Sequence, residues 1–295
     1  MKILYIGVHS HIDWGAEYWV AKAFKDFNIN CDLLDYRLEF KGLNNNEINK
    51  IILKRSNSVK IIFLQRGDHL SPSIFNEVNI PIVFWSTEPL QLKNDVDMLL
   101  NSTIFSWVFI HSYSCKERII NEFPHLKHIS SVMHNAAPKE QIKSSLNNKF
   151  FSIFNRTLSI RRRYWLFRSR KMIKLVKGVY GEKYFNYLQS SQIAINIHYS
   201  RKNLDDFESG IFEAMASGCL VISEKLNDKT LIDLGMKDVI IQVNSPAELF
   251  NKLQFFKQNS DLIKAYQIKS NECILKNTWH DRSKQMISKF KELFN

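Results

Sequence analysis

The sequence contains few of the features that mark a disulfide-rich, repetitive or membrane-spanning protein. Its four cysteines, at positions 31, 115, 219 and 273 of 295, lie too far apart to suggest a zinc knuckle or a disulfide framework. We therefore expect buried, reduced thiols in a cytoplasmic protein. No low-complexity tract or internal repeat is visible. The apolar run 59–64 is already interrupted by Lys60, whereas a membrane-spanning helix needs about 20 apolar residues.

The start of the chain and its composition favour a folded protein of two domains. The first residues, MKILYIGVHSHIDWG, place a six-residue apolar stretch directly before polar and ionisable residues. This pattern predicts a first β-strand and not a signal peptide. Hydrophobic residues make up 45% of the chain, charged residues 24% and aromatic residues 13%, which supports a packed globular core. The length is suited to two domains of ordinary size.

The net charge of +12 is unevenly distributed. Residues 1–145 carry 16 basic and 15 acidic side chains, whereas residues 146–295 carry 25 and 14. The stretch from Arg156 to Lys177 alone contains nine basic residues and no acid. Such different halves suggest two domains, one of which handles an anion. The basic half also suits an anionic membrane surface, so peripheral contact with the inner membrane face is one of our expectations.

Strand-like and helix-like segments alternate along the chain, which predicts parallel sheets with right-handed crossovers. We expect an α/β protein with two Rossmann-like lobes facing each other across a cleft. The first lobe is predicted to span residues 1–140 and the second residues 150–277, and a final helix over 278–295 is expected to pack back towards the first lobe. The predicted strands are 2–8, 31–36, 59–65, 80–85, 107–111, 127–133, 150–154, 193–197, 219–223 and 239–243.

Polar and ionisable residues follow the predicted strands of the first lobe, where ligands of open α/β sheets bind. Five of the nine histidines fall at such strand ends, although polar loops alone can produce the same pattern. The candidate acid–base residues are His11, Asp13 and Glu88. The pair His9 and His11 has no third ligand at a defined spacing, so we expect no metal site.

A basic helix is predicted over residues 161–176. Arg161 and Arg162 lie in its first turn, where positive charge opposes the helix dipole unless an anion is bound there. A helix start with arginines can bind phosphate. The remaining basic residues are interpreted as a solvated face. Because aromatic residues alternate with the charges, binding of nucleic acid or of an acidic membrane is also compatible with this stretch.

The segment DDFESGIFEAMASG, residues 205–218, predicts a second anion site. Ser209 and Gly210 begin a short helix of small residues whose free amides can bind a diphosphate. Glu213 lies inside this helix, where a carboxylate needs a partner such as paired ribose hydroxyls. His198, which follows the strand that ends at Asn196, is expected to face the same ligand.

These residues resemble the donor-binding lobe of GT-B glycosyltransferases, especially the group-1-like set that includes spore-maturation CgeB-type proteins. The resemblance covers about the last 145 residues: the run Phe212–Gly218 matches the family's F-E-A-[ML]-A-x-G, CLVISE resembles its next strand, and NTWHDR resembles its terminal segment. In that family the glutamate of the run grips the donor ribose, which by resemblance is Glu213. The first lobe resembles the family only in its general character and not in specific motifs.

Three departures accompany this resemblance. Many retaining relatives place a glutamate eight positions before the ribose-binding one, where this chain has Asp205. CgeB-type chains often have arginine where Gly210 stands, and the glycine expected after the first strand of the lobe is replaced around Asn155 and Arg156.

The resemblance implies a glycosyltransferase that uses a nucleotide-sugar as co-substrate, and because the sequence shows no metal site we expect it to be metal-independent and to need no other cofactor. Together with the anion sites described above, this predicts a donor bound by Arg161, Arg162, Asn196, His198, Ser209, Gly210 and Glu213. The acceptor would be a glycan, a lipid-linked glycan, a protein or a modified nucleic acid held by the first lobe. The alternatives are a nucleic-acid-binding protein that uses residues 156–177, a non-catalytic GT-B-like subunit, and a nucleotide-sugar epimerase of the same two-lobe shape.

Overall fold

The computed structural model describes residues 1–11, 13–87, 96–143, 149–199 and 207–294. The chain forms two compact units. The first unit contains residues 1–134 together with 280–295, and the second contains residues 135–279. The predicted α/β class with two parallel sheets is confirmed, because every strand pair of the described residues is parallel.

A six-stranded sheet in the order β2-β1-β3-β4-β5-β6 forms the centre of the first unit. The strand β3 consists of the residues IIFLQ, which are all buried, as expected for a parallel sheet covered on both faces. Its strands are β1 (Lys2–Gly7), β2 (Asn30–Asp35), β3 (Ile61–Gln65), β4 (Ile82–Ser86), β5 (Trp107–Ile110) and β6 (Ser130–Val132). Its helices are α1 (Ala16–Asp26), α2 (Tyr36–Glu39), α3 (Asn45–Ser56), α4 (Asp97–Leu100) and α5 (Tyr113–Glu122).

A five-stranded sheet in the order β11-β10-β9-β7-β8 forms the second unit. Its strands are β7 (Phe150–Asn155), β8 (Ile173–Val176), β9 (Ser191–Asn196), β10 (Leu220–Glu224) and β11 (Ile241–Val243). Its helices are α6 (Ile160–Phe167), α7 (Gly181–Gln189), α8 (Ser209–Ala216), α9 (Asp228–Asp233), α10 (Pro246–Gln258) and α11 (Ser260–Ile274), and the chain ends with α12 (Trp279–Phe294).

The single helix predicted over residues 161–176 is wrong. Helix α6 ends at Phe167, and after a turn the chain forms the edge strand β8. The error has a physical origin: Trp165, Leu166, Ile173 and Val176 are all buried, so their spacing imitates one apolar helix face. The pairing of β8 with β7 decides otherwise, because it satisfies the backbone of this segment in the sheet.

The core of the first unit includes residues from the end of the chain. In α12 the Phe290 ring is fully buried, 5.9 Å from the Phe24 ring and 5.4 Å from the Phe63 ring between centroids. The rings come from α1 and β3, so the end of the chain closes one face of the first sheet. Among the described helices, none is both long and apolar enough to cross a bilayer.

Replacing Phe290 with alanine is expected to lower the free energy of unfolding by about 3–4 kcal/mol, because it leaves a large cavity beside two other rings. Denaturant unfolding followed by tryptophan fluorescence measures this. Phe294, on the same helix but 37% exposed, is the matched control. Its alanine variant should lose less than about 1 kcal/mol. Equal losses in the two variants would contradict the packing described for α12.

Candidate functional site

The carboxyl ends of β7, β9 and β10 lie at one edge of the second sheet, which is where open α/β sheets bind their ligands. These strands end at Asn155, Asn196 and Glu224. Helix α8 begins close to the same edge, directly after Glu208, and its first amides have no partner within the helix. Backbone amides and a helix dipole thus face a cluster of charged side chains.

The Arg156 side chain lies at the start of α8. A Cβ atom built at Gly210 would collide with the Arg156 guanidinium at Nη2 and Cζ. Glycine at position 210 therefore leaves the space that the guanidinium occupies. Burial alone would lower the pKa of Arg156, but the combined effect of Glu208, Tyr184 and Glu213 outweighs burial and raises the pKa. A permanent positive charge is consequently held at the helix start.

Glu208 bridges two arginines of different elements. Its Oε2 lies 2.8 Å from Nε of Arg156, and its Oε1 lies 3.1 Å from Nη2 of Arg162. Arg162 is only 3% exposed and also donates to the backbone carbonyls of Ile197, at 2.8 Å, and Thr157, at 3.1 Å. Burial lowers the pKa of Arg162, and Glu208 counteracts this effect. All three residues are thereby fixed at the sheet edge.

Arg161 makes a parallel set of contacts one residue earlier. It forms an ion pair with the buried Glu224 and donates to the carbonyl oxygen of His198 over 2.8 Å. The anions that the first turn of α6 was expected to need are thus Glu208 and Glu224 of the protein itself. The role of Arg161 and Arg162 as donor ligands stays a prediction.

Asn196 and His198 are buried at the same edge. The Asn196 side chain donates to Oγ of Ser223 over 3.0 Å. The ring Nε2 of His198 lies 2.9 Å from the carbonyl oxygen of Lys225, and the His198 amide donates to the Glu224 carboxylate. These contacts tie β9 to β10, so both residues have a positioning role in addition to the predicted one.

Glu213 lies one helical turn after Gly210 and is partly buried. Burial raises the pKa of its carboxyl, and the charge of Arg156 counteracts part of this rise. A pocket at the start of α8 is lined by Asn155, Arg156, Tyr184, Asn196 and Gly210 together with apolar side chains of the sheet, of α7 and of α8, and Glu213 lies on the helix that borders it. The structure therefore brings four of the seven predicted donor residues, Asn196, Ser209, Gly210 and Glu213, to this pocket or to the helix that borders it.

In the first unit, His11 and Asp13 follow β1 as expected. The His11 ring stacks on Trp14, with 4.0 Å between the centroids. Burial lowers the pKa of His11, and the cations Arg66 and Arg37 lower it further. Asp13 is exposed with a left-handed φ of 63°, a conformation that costs energy and often marks functional loops. The third candidate, Glu88, lies outside the described residues, as does Asp205.

Arg156, Glu208 and Glu224 are not among the donor-binding residues that the sequence predicts. Arg156 directly follows a buried strand, and Glu208 directly precedes the helix with the small residues, so both positions offered a signal. The ion pairs themselves could not be predicted from sequence, because Glu208 lies 46 positions from Arg162 and 52 positions from Arg156.

We expect Glu208→Gln to lower the free energy of unfolding by about 3 kcal/mol, because the buried Arg162 then loses its only carboxylate in the described part of the chain. Thermal and denaturant unfolding measure this loss. Glu122→Gln is the control, since it breaks the exposed pair with Arg118 and should cost about 0.5 kcal/mol. A Glu208 variant as stable as the control would show that the bridge between Arg156 and Arg162 does not contribute to the free energy of unfolding.

The part of the chain that contains this site matches a known protein family. Residues 147–288, just under half of the chain, match the sequence model of a family described as glycosyl transferase-like. No curated protein matches the chain in sequence.

Solved structures resemble the whole chain. A glycosyltransferase from Rickettsia africae ESF-5 has a TM-score of 0.69 at 14% identity, over 99% of this chain and 98% of that one. Anabaena Alr3699/HepE, solved with UDP-glucose, has a TM-score of 0.65 at 12% identity, over 99% and 100%. The DNA-modifying enzyme β-glucosyltransferase, solved with and without uridine diphosphoglucose, has a TM-score of 0.59 at 13% identity, over 99% and 100%. The chain therefore has the GT-B fold of two Rossmann-like units, and its second half is similar to the glycosyl transferase-like family.

Proposed function

We propose that this protein is a glycosyltransferase that moves a sugar from a nucleotide-sugar to an acceptor. The observation that carries the proposal is the start of α8, where the Arg156 guanidinium lies over Gly210 and the Glu213 carboxylate follows one turn later. A cation with free amides suits a diphosphate, and a carboxylate suits a pair of hydroxyls. The family match over residues 147–288 and the nucleotide-sugars bound by two proteins of this fold support the same donor class.

Donor binding assigns a role to each group at the sheet edge. The amides of Ser209 and Gly210 and the guanidinium of Arg156 bind the diphosphate, and Glu213 accepts hydrogen bonds from the ribose hydroxyls. When the bond between the sugar and the diphosphate breaks, negative charge develops on the leaving phosphate. Fixed positive groups and helix amides stabilise this charge without rearrangement. In this proposal no metal ion is required, and Arg161 and Arg162, paired with Glu224 and Glu208, keep the sheet edge beside the donor in place.

The first unit is proposed to hold the acceptor. If the transfer inverts the anomeric carbon, a base must accept the proton of the acceptor hydroxyl as the oxygen attacks. His11 suits this role, because its lowered pKa keeps the imidazole neutral at pH 7. Asp13 and Glu88 are the other candidates. If the transfer retains configuration, these residues only position the acceptor.

Replacing Glu213 with alanine should weaken the binding of a nucleoside diphosphate about 10- to 100-fold, since two hydrogen bonds to a charged group are lost. The first step is a thermal-shift screen of uridine, guanosine and adenosine diphosphates and their sugars, because a ligand at about 100 times its Kd adds about 2.7 kcal/mol to stability. Calorimetry of the best ligand then compares the variant with the parent protein.

Glu272→Ala is the matched control, because Glu272 is an exposed glutamate on a helix of the same unit. It should bind the nucleotide as the parent does. If no nucleoside diphosphate or nucleotide-sugar stabilises the parent protein, the proposed function is wrong. If the Glu213 variant binds as tightly as the parent, Glu213 is not part of the donor site.

The pH dependence tests His11 as the base. Rate is lost when pH falls through the pKa of a base, and the pKa of His11 is lowered from the usual value of about 6.5. The acid limb of kcat/KM should therefore lie below pH 6.5, and Arg37→Gln should move it to higher pH, because one cation near the ring is removed. Arg118→Gln is the control and should leave the limb in place. An unchanged limb in the Arg37 variant would exclude His11 as the base.

A further inference from the structure

Helix α6 has an apolar and basic face that no part of the described chain covers. Ile160 is 89% exposed, Tyr164 69% and Phe167 66%. These residues and the exposed Arg163 are spaced three or four positions apart, so they share one face of the helix. The opposite face, with Trp165 and Leu166, is buried in the unit. Three large apolar side chains on one exposed face of a short helix are unusual for a surface that meets only water.

The turn that follows α6 adds two positively charged side chains to the same exposed face. The Arg170 guanidinium lies over the Phe167 ring at 4.4 Å from its centroid, which joins turn and helix into one surface. Lys171 follows and is exposed. We call the six residues Ile160, Arg163, Tyr164, Phe167, Arg170 and Lys171 the basic aromatic surface.

The charges of the basic aromatic surface are available for an external anion. Within the described residues, none of Arg163, Arg170 and Lys171 lies within salt-bridge distance of a carboxylate, whereas Arg161 and Arg162 on the inner side of the same helix pair with Glu224 and Glu208. No acidic residue occurs between positions 156 and 177. The cations that stabilise the unit are therefore separate from those that point outwards.

Chemistry distinguishes between the two polyanions that such a surface could meet. A nucleic acid would pair its phosphates with the arginines and could stack bases on Tyr164 and Phe167. It offers nothing to the most exposed of the apolar residues, the aliphatic Ile160, which stacks on no base. A bilayer accepts all of them, because aliphatic and aromatic side chains enter the boundary between head groups and acyl chains while arginines bind lipid phosphates.

We propose that the basic aromatic surface docks this protein onto an anionic lipid bilayer. Tyr164, Phe167 and Ile160 insert at the level of the head groups, and Arg163, Arg170 and Lys171 bind the lipid phosphates. The contact is peripheral and reversible, since it involves one short helix face and a few charges. Because α6 begins at the same sheet edge as the candidate donor site, docking places that edge near the bilayer surface. The proposal does not depend on the proposed transferase activity.

The test is co-sedimentation of the full chain with vesicles of phosphatidylcholine alone and with 30% phosphatidylglycerol at about physiological salt. The parent protein should bind only the anionic vesicles. Replacing Arg163, Arg170 and Lys171 together with glutamine should weaken partitioning about 100-fold. Replacing Ile160 and Phe167 together with serine should weaken it at least about 10-fold at unchanged net charge.

Two matched variants separate this surface from the general positive charge of the protein. Lys257, Lys264 and Lys276 are exposed lysines on α10, on α11 and just after α11, and their triple glutamine variant has the same net charge as the first variant. Ile268 and Leu275 are 60% and 61% exposed, and their double serine variant also removes two exposed apolar side chains, at another place on the same unit. Both should bind anionic vesicles as the parent does.

Loss of binding in the lysine control equal to that in the arginine variant would overturn the proposal, because net charge alone would then explain binding. The absence of binding to anionic vesicles would also overturn it. A 30-base-pair duplex and a 30-nucleotide single strand, titrated with the same variants, provide the last comparison. Tight binding of either one, without vesicle binding, would assign the surface to nucleic acid. Because all the substituted residues are exposed, circular dichroism should show unchanged folding.

Discussion

The carboxylate of Glu208 is the interaction on which the edge of the second sheet depends. It joins Arg156, which directly follows the first strand of the unit, to Arg162 on the next helix, and Glu208 itself directly precedes α8. One side chain thus connects the end of β7 with the starts of α6 and α8. Because two cations lie on this carboxylate, positive charge remains at the start of α8, where an anionic ligand would be bound.

Arg156 and Gly210 depend on each other at the start of α8. In the structure, the Arg156 guanidinium occupies the space that a side chain at position 210 would enter. The positive charge at the start of this helix is therefore supplied by the residue that follows β7, and it depends on glycine at position 210.

Helix α6 shows how one short segment can have two unrelated surfaces. On its inner side, Arg161 forms an ion pair with Glu224 and Arg162 forms one with Glu208, and these pairs stabilise the strand ends. On its outer side, Arg163 has no carboxylate partner among the described residues, and Tyr164 and Phe167 are exposed. These residues form part of the basic aromatic surface. A count of charge along residues 156–177 merges these two groups, although they serve different purposes. The distinction depends on which side of the helix faces the sheet.

Much of this protein could be inferred from local pattern. Alternating apolar and amphipathic segments determined the α/β class and the two parallel sheets, and small residues after Glu208 indicated a helix with an exposed start, because these signals depend on neighbours in the chain. The pattern misled at residues 161–176, where buried positions at helical spacing belong to a helix, a turn and an edge strand. Only the tertiary structure decided that β8 pairs with β7 and that Arg156 fills the space above Gly210. The strand pairing and the position of the Arg156 side chain both depend on residues that are distant in sequence and meet only after the sheet has formed. Local sequence patterns do not report contacts between such residues.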